Sequence, residues 1–112
     1  MDTEARLEIS SVDNAVTISA TGALDLHNAK PLREALVGAA DTAESVVVDF
    51  RSVIFIDTAV LAYLCTAANK MIARDKRLRL LLKDNTHPQR VIKITGFSAV
   101  MDAVVDGPGT DE

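Results

Sequence analysis

Ser45-Val46-Val47-Val48-Asp49-Phe50-Arg51-Ser52-Val53-Ile54-Phe55-Ile56-Asp57-Thr58 is the stretch that decides the fold. Consecutive valines suit a strand covered on both faces, so the run from Val46 to Phe50 is expected near the centre of a sheet. A second apolar run, Val53 to Ile56, follows and stops abruptly at Asp57-Thr58. From there Val60, Leu61, Leu64, Cys65, Ala68, Met71 and Ile72 recur at helical spacing, one apolar stripe reaching Arg74. Asp57-Thr58 therefore puts a carboxylate and a hydroxyl at a helix N-terminus, where free backbone N–H groups and the positive dipole end favour a phosphate.

Working outward, Ala5, Leu7 and Ile9 alternate with polar residues, and Val16, Ile18 and Ala20 repeat the alternation after Asp13-Asn14. This pattern predicts two half-buried strands in a hairpin. Thr21-Gly22 breaks it, and Leu24 to Asn28 reads as a connecting segment. A helix starting near Asn28 follows, with Pro31 in its first turn and Leu32, Leu36 and Val37 on one stripe; Gly38 and residues 39–44 close it.

Leu78 to Leu82 is the next strand. Thr86-His87-Pro88-Gln89 is a capping box with a tolerated proline, and Gly96 ends that helix with Phe97 packing back. Met101 to Val105 fits a strand or a short helix. The order implies an α/β fold, with a mixed sheet and helices packed mainly on one side, over residues 1–105. Residues 106–112 read as a disordered acidic tail.

A chain of 112 residues with 48% hydrophobic content fits one core. A net charge of −4 argues against nucleic acid as a partner, since that affinity rests on clustered Lys and Arg. The local basic group at Lys70, Arg74, Lys76, Arg77 and Arg79 reads as a solvated face and helix-end partner. The acidic start, the absence of a long apolar run and the single Cys65 predict a cytoplasmic protein with no membrane insertion and no disulfide.

No nucleotide-cradling glycine motif and no Cys/His pairing for a metal are present, so neither a cofactor nor catalysis is expected. Cys65 lies on an apolar stripe and reads as a small core hydrophobe. His87 is expected to be exposed and idle, while His27 lies close enough to Asp25 for a local polar pair. Thr58 remains: either Asp57 is a plain N-cap with Thr58 beginning the helix, or Thr58 is a modifiable hydroxyl.

Three separated pieces then resemble STAS-domain proteins, specifically the bacterial anti-sigma factor antagonist family. They are Thr21-Gly22-Ala23-Leu24-Asp25 with His27-Asn28, the stretch from Val46 to Leu64 through Asp57-Thr58, and Val91-Ile92-Lys93-Ile94-Thr95-Gly96-Phe97. The resemblance implies a four- or five-stranded mixed sheet and no catalysis by the domain. It also implies that Thr58 is phosphorylated by the anti-sigma factor, a kinase of the histidine-kinase-like ATPase class, and that phosphorylation releases that partner. Asp25, His27, Asp57, Thr58, Ala59, Val60 and Leu61 are the expected partner contacts.

The chain departs from the family where Asp-Ser-Ser-Gly or Asp-Ser-Thr-Gly is common, reading Asp57-Thr58-Ala59-Val60 instead. The missing glycine and the β-branched Val60 alter the first turn, and Ala59 and Val60 become candidates for an unswitched apolar docking patch. Two rival readings follow: a stand-alone STAS subunit on an ABC-transporter ATPase, and a STAS module sensing a small ligand. A monomer is expected, for lack of an exposed apolar stripe.

Overall fold

Five strands in the order β1-β2-β3-β4-β5 form one sheet in the computed structural model, which describes residues 4–107. The strands are β1 (Arg6–Val12), β2 (Ala15–Leu24), β3 (Ser45–Ile56), β4 (Arg79–Lys83) and β5 (Asp102–Asp106). Between them lie α1 (Lys30–Thr42), α2 (Thr58–Ala73) and α3 (His87–Thr95), with a short 3-10 turn at Phe97–Ala99. Only β1 and β2 are antiparallel; the other neighbours are parallel. The expected mixed sheet thus has five strands, and the open alternative at Met101–Val105 resolves as a strand.

The hairpin turns at Asp13 and Asn14, both at positive φ (52° and 67°), the twist a two-residue connection requires. Each later strand returns through a helix, and right-handed crossovers stepping one way put the helices on the same face. Ile18, Ala20, Val46, Val48, Phe50, Leu80 and Leu82 meet Leu32, Leu36, Leu64, Ala68, Met71 and Ile92 in the core under that layer. The other face is open, so β3 alternates in burial and Val47 is half-exposed, against the expectation of two-sided cover.

Several boundaries differ from the sequence reading. β2 continues through Gly22 to Leu24 instead of breaking, because Gly22 adopts φ 88° inside the strand. α1 starts at Lys30, runs through Gly38, and turns Val37 outward. Gly96 caps α3 at φ 74° as expected, and Phe97 packs on the core. The capping box is half formed: Thr86 Oγ1 accepts from Gln89 N (3.4 Å) but donates to Lys83 O (2.7 Å). Asp106 belongs to β5, its carbonyl accepting from Asp84 N (3.0 Å), and Gly107 is buried; the rest of the expected tail, 108–112, lies outside the described residues.

Four of the five residues of the basic cluster, all but Arg79, brace one element against another. Arg74 donates to Ala40 O (2.8 Å) and Ala43 O (3.0 Å), and so caps the carbonyl end of α1, whose own last turn has no basic residue. Lys70 pairs with Asp41, Lys76 with Glu44 and Arg77 with Asp102.

β3 carries two bulges where it overhangs β4. Three steps from Asp49 to Ser52 oppose two from Ser19 to Thr21, and two from Val53 to Phe55 oppose one from Gly22 to Ala23. The first is held by Asp49, which accepts from Arg51 N and Nε (both 3.0 Å) and Nη2 (2.9 Å). The second turns both Ile54 and Phe55 outward and sets the direction from which Asp57 enters α2.

The side-chain hydrogen bond from Arg51 holds the Asp49 carboxyl below its ordinary value despite partial burial. A carboxyl depressed in the folded state contributes stability above its unfolded pKa and loses it as pH falls through the folded one. Acid titration followed by urea unfolding is therefore expected to show an Asp49 contribution, absent in Asp49→Asn, that is constant near neutrality and disappears only below the ordinary carboxylate range. Gly22→Ala, forced to positive φ, is expected to lose about 1–2 kcal/mol in the same assay.

Candidate functional site

Residue 57 is where the sheet hands over to α2, and its carboxylate is shared between two segments. Oδ1 accepts from Ala59 N (3.1 Å) and Val60 N (3.2 Å), a helix N-cap. Oδ2 accepts from Leu26 N (2.9 Å), in the loop between β2 and α1. Asp57 N in turn donates to Leu24 O (3.3 Å). The loop and the helix start are thereby one unit.

That loop is organised by its own side chains. Asp25 Oδ1 accepts from His27 N (2.8 Å) and Asn28 N (3.1 Å), while Asn28 Oδ1 accepts from Asp25 N (2.9 Å) and Asn28 Nδ2 donates to Ala23 O (2.9 Å). The expected polar pair of His27 with Asp25 is thus made by the His27 backbone, and the imidazole is exposed.

Thr58 is exposed, and its hydroxyl makes no hydrogen bond among the described residues. The structure corrects the expectation that free amides await a phosphate here. Ala59 N and Val60 N are held by Asp57 Oδ1, so two of the donors that a helix start leaves without an intrahelical partner are already engaged, and Leu61 N makes the first intrahelical bond, to Asp57 O (3.2 Å). Thr58 itself is exposed to solvent next to the capping carboxylate of Asp57.

Two further expectations change. Val60 is fully buried and Leu61 nearly so, because in the first turn they face the sheet; they anchor the helix start and present no side-chain docking surface. Asp25, His27, Asp57 and Thr58 come together at one end of the sheet, with half-buried Ala59.

Sequence reasoning missed the apolar rim of this site. Leu26 (59% exposed) and Phe55 (42% exposed) adjoin it, and Ile54 is exposed next to Phe55 in β3, against the expectation of no exposed apolar stripe. His87 is not idle: its ring stacks on Phe55 at 4.7 Å, and its Nδ1 accepts from Ile56 N (3.2 Å), closing the edge of β3 beyond β4. The available signal was the pair Ile54-Phe55, two large apolar residues that no single strand face can bury together.

Among the described residues no group of His, Cys, Asp and Glu can hold a metal ion, and no helix is long and apolar enough to cross a membrane. Cys65 is half-buried against the core, and burial pushes its thiol pKa up, away from thiolate reactivity.

With this geometry in hand, comparison with known proteins gives the class. The family model described as "Mlab, STAS domain" matches residues 7–105, and the chain belongs to that STAS-domain family. Among solved structures, an anti-sigma factor antagonist from Mycobacterium paratuberculosis is similar at TM-score 0.79 and 19% identity, covering 92% of this chain and 87% of that one. The anti-sigma factor antagonist SpoIIAA in its unphosphorylated form gives 0.74 at 20% identity, covering 88% of each chain. Phosphorylated Bacillus SpoIIAA gives 0.68 at 20%, covering 88% of this chain and 91% of that one. These likenesses establish the SpoIIAA-like fold. No curated protein sequence matches the chain.

Removing the Asp57 carboxylate deletes a cap and a loop anchor together. Asp57→Ala is expected to cost about 1–2 kcal/mol in urea unfolding, while Asp57→Asn, which keeps an acceptor for the helix amides, is expected to lose less than half of that.

Proposed function

We propose that this protein is an anti-sigma factor antagonist acting by partner switching. The unphosphorylated chain binds an anti-sigma factor, a kinase of the histidine-kinase-like ATPase class, and phosphorylation of Thr58 releases it. The carrying observation is the exposed, unbonded Thr58 hydroxyl beside a carboxylate whose two oxygens are both engaged.

The mechanism follows from charge and shape. Phosphorylation adds nearly two negative charges in one step. Because Asp57 already occupies the helix amides, the phosphate gains little from the protein and stays in solvent, adding like charge to Asp57 and Asp25. The fold is left intact and the change is felt by whatever docks there. Leu26 and Phe55 supply the apolar part of the contact, with His27 and Ala59 at its margin. The domain itself performs no catalysis in this reading, and the protein works in the cytoplasm.

Thr58 and Val60, standing where family antagonists commonly carry serine and glycine, favour a second reading, a stand-alone STAS subunit that clamps an ABC-transporter ATPase without any phosphate. The same surface would serve.

Incubation with the cognate kinase and ATP is expected to add one phosphate by intact mass to wild type and none to Thr58→Ala. No addition to wild type, or equal addition to the variant, removes the switch. Thr58→Asp is expected to weaken the complex about tenfold, less than phosphate itself, measured by titration calorimetry. Co-purification of a membrane-associated ATPase in place of the kinase selects the second reading.

A further inference from the structure

The far edge of the sheet is β5, and among the described residues no strand pairs with its outer side. Asp102 N donates to Leu78 O (2.8 Å) and Asp106 O accepts from Asp84 N (3.0 Å), so in this parallel ladder residues 102, 104 and 106 bond inward to β4. Ala103 and Val105 therefore turn their N–H and C=O groups outward, a short template for another strand.

The side chains alternate in the same register. Ala103 and Val105 lie beside Leu80 and Leu82 on the helix-covered side, while Asp102, Val104 and Asp106 lie beside Arg79, Leu81 and Lys83 on the open side. The helix layer stops short of this edge: between α3 and β5 is a cleft of about 280 Å³ lined by Leu82, Ile92, Ala103 and Val105, with Gln89 and Lys93. Val105 stays 43% exposed beside it.

A second copy is a poor occupant. Antiparallel pairing of two β5 strands about Val104 sets Asp102 opposite Asp106 twice, which like charges disfavour. The same two carboxylates select a strand with a cation at each end. Arg77 bonds Oδ1 of Asp102 (2.8 Å) and Arg51 approaches Oδ2 of Asp106 (3.5 Å), but among the described residues no hydrogen bond reaches the other oxygen of either, and both residues are exposed.

We propose that β5 takes an extended segment of another protein as an antiparallel sixth strand, reading basic, apolar, β-branched, apolar, basic. The two apolar side chains stand opposite Ala103 and Val105 and enter the cleft, the β-branched one pairs with Val104 on the open side, and the cations meet Asp102 and Asp106. Main-chain bonds to Ala103 and Val105 supply the affinity, and a slip of one residue would turn the cations onto the apolar cleft. A five-residue strand is a small contact beside the roughly 1,200 Å² at which standard interfaces begin, so the isolated segment binds weakly.

The peptide acetyl-Ser-Lys-Val-Thr-Val-Lys-Ser-amide, titrated to millimolar concentration into the isotope-labelled full chain and followed by amide NMR, tests this without kinase or phosphate, and so independently of the proposed function. The amides of Ala103 and Val105 are expected to shift to saturation. Replacing both lysines by glutamate is expected to weaken binding about fivefold or more. N-methylation of either valine, whose N–H faces β5, is expected to weaken it about tenfold, while N-methylation of the threonine, whose N–H faces away, changes it by less than about threefold. No shift at Ala103 and Val105, equal binding of the glutamate peptide, or equal loss from methylating valine and threonine overturns the proposal. So do shifts of the same amides with protein concentration alone, which make the occupant a second copy.

Discussion

One carboxylate holds the functional end of this domain together. Asp57 bonds the amides that open α2 with one oxygen and the amide of Leu26 with the other, joining segments 31 residues apart in the chain. The bulges in β3 exist upstream of it, and their effect is to deliver Asp57 to the point where both bonds can be made. Were the carboxylate absent, the Asp25–Asn28 turn would still hold itself, but nothing would fix it to the helix start.

The same interaction decides how a charge on Thr58 can act. A helix N-terminus ordinarily offers amides to an anion. Here Asp57 occupies two of those amides, those of Ala59 and Val60, which leaves less of the helix start to hold an anion. Val60 and Leu61 complete the arrangement by burying the inner side of the first turn, which fixes Thr58 outward. In the proposed switch, signal and fold stability are thereby separated, since a group added at Thr58 would leave the first turn's packing in place.

The fold was legible because its signals are local and agree with one another: alternation in β1 and β2, valines in β3, a helical stripe after Asp57, and Gly96 ending α3. What escaped was set by tertiary contact. The continuation of β2 through Gly22 depends on its pairing with the bulged β3, and the role of His87 on a ring 32 positions earlier. The helical stripe places Val60 and Leu61 on the inner face of α2, which conflicts with the docking role that the resemblance implies for them. Their turn position excludes that once the sheet is in place. Within the site, Asp57 and Thr58 were readable from spacing, whereas the apolar rim was signalled only by the adjacent pair Ile54-Phe55, whose joint exposure depends on the second bulge.

The coupling of loop and helix through Asp57 is tested most directly by native-state hydrogen exchange read amide by amide. On Asp57→Ala, the amides of Leu26, Ala59 and Val60 are expected to lose protection together while Val48 and Leu80 in the sheet keep theirs relative to global stability. Loss confined to Ala59 and Val60, with Leu26 unchanged, would contradict the account, since the loop would then be held without the carboxylate.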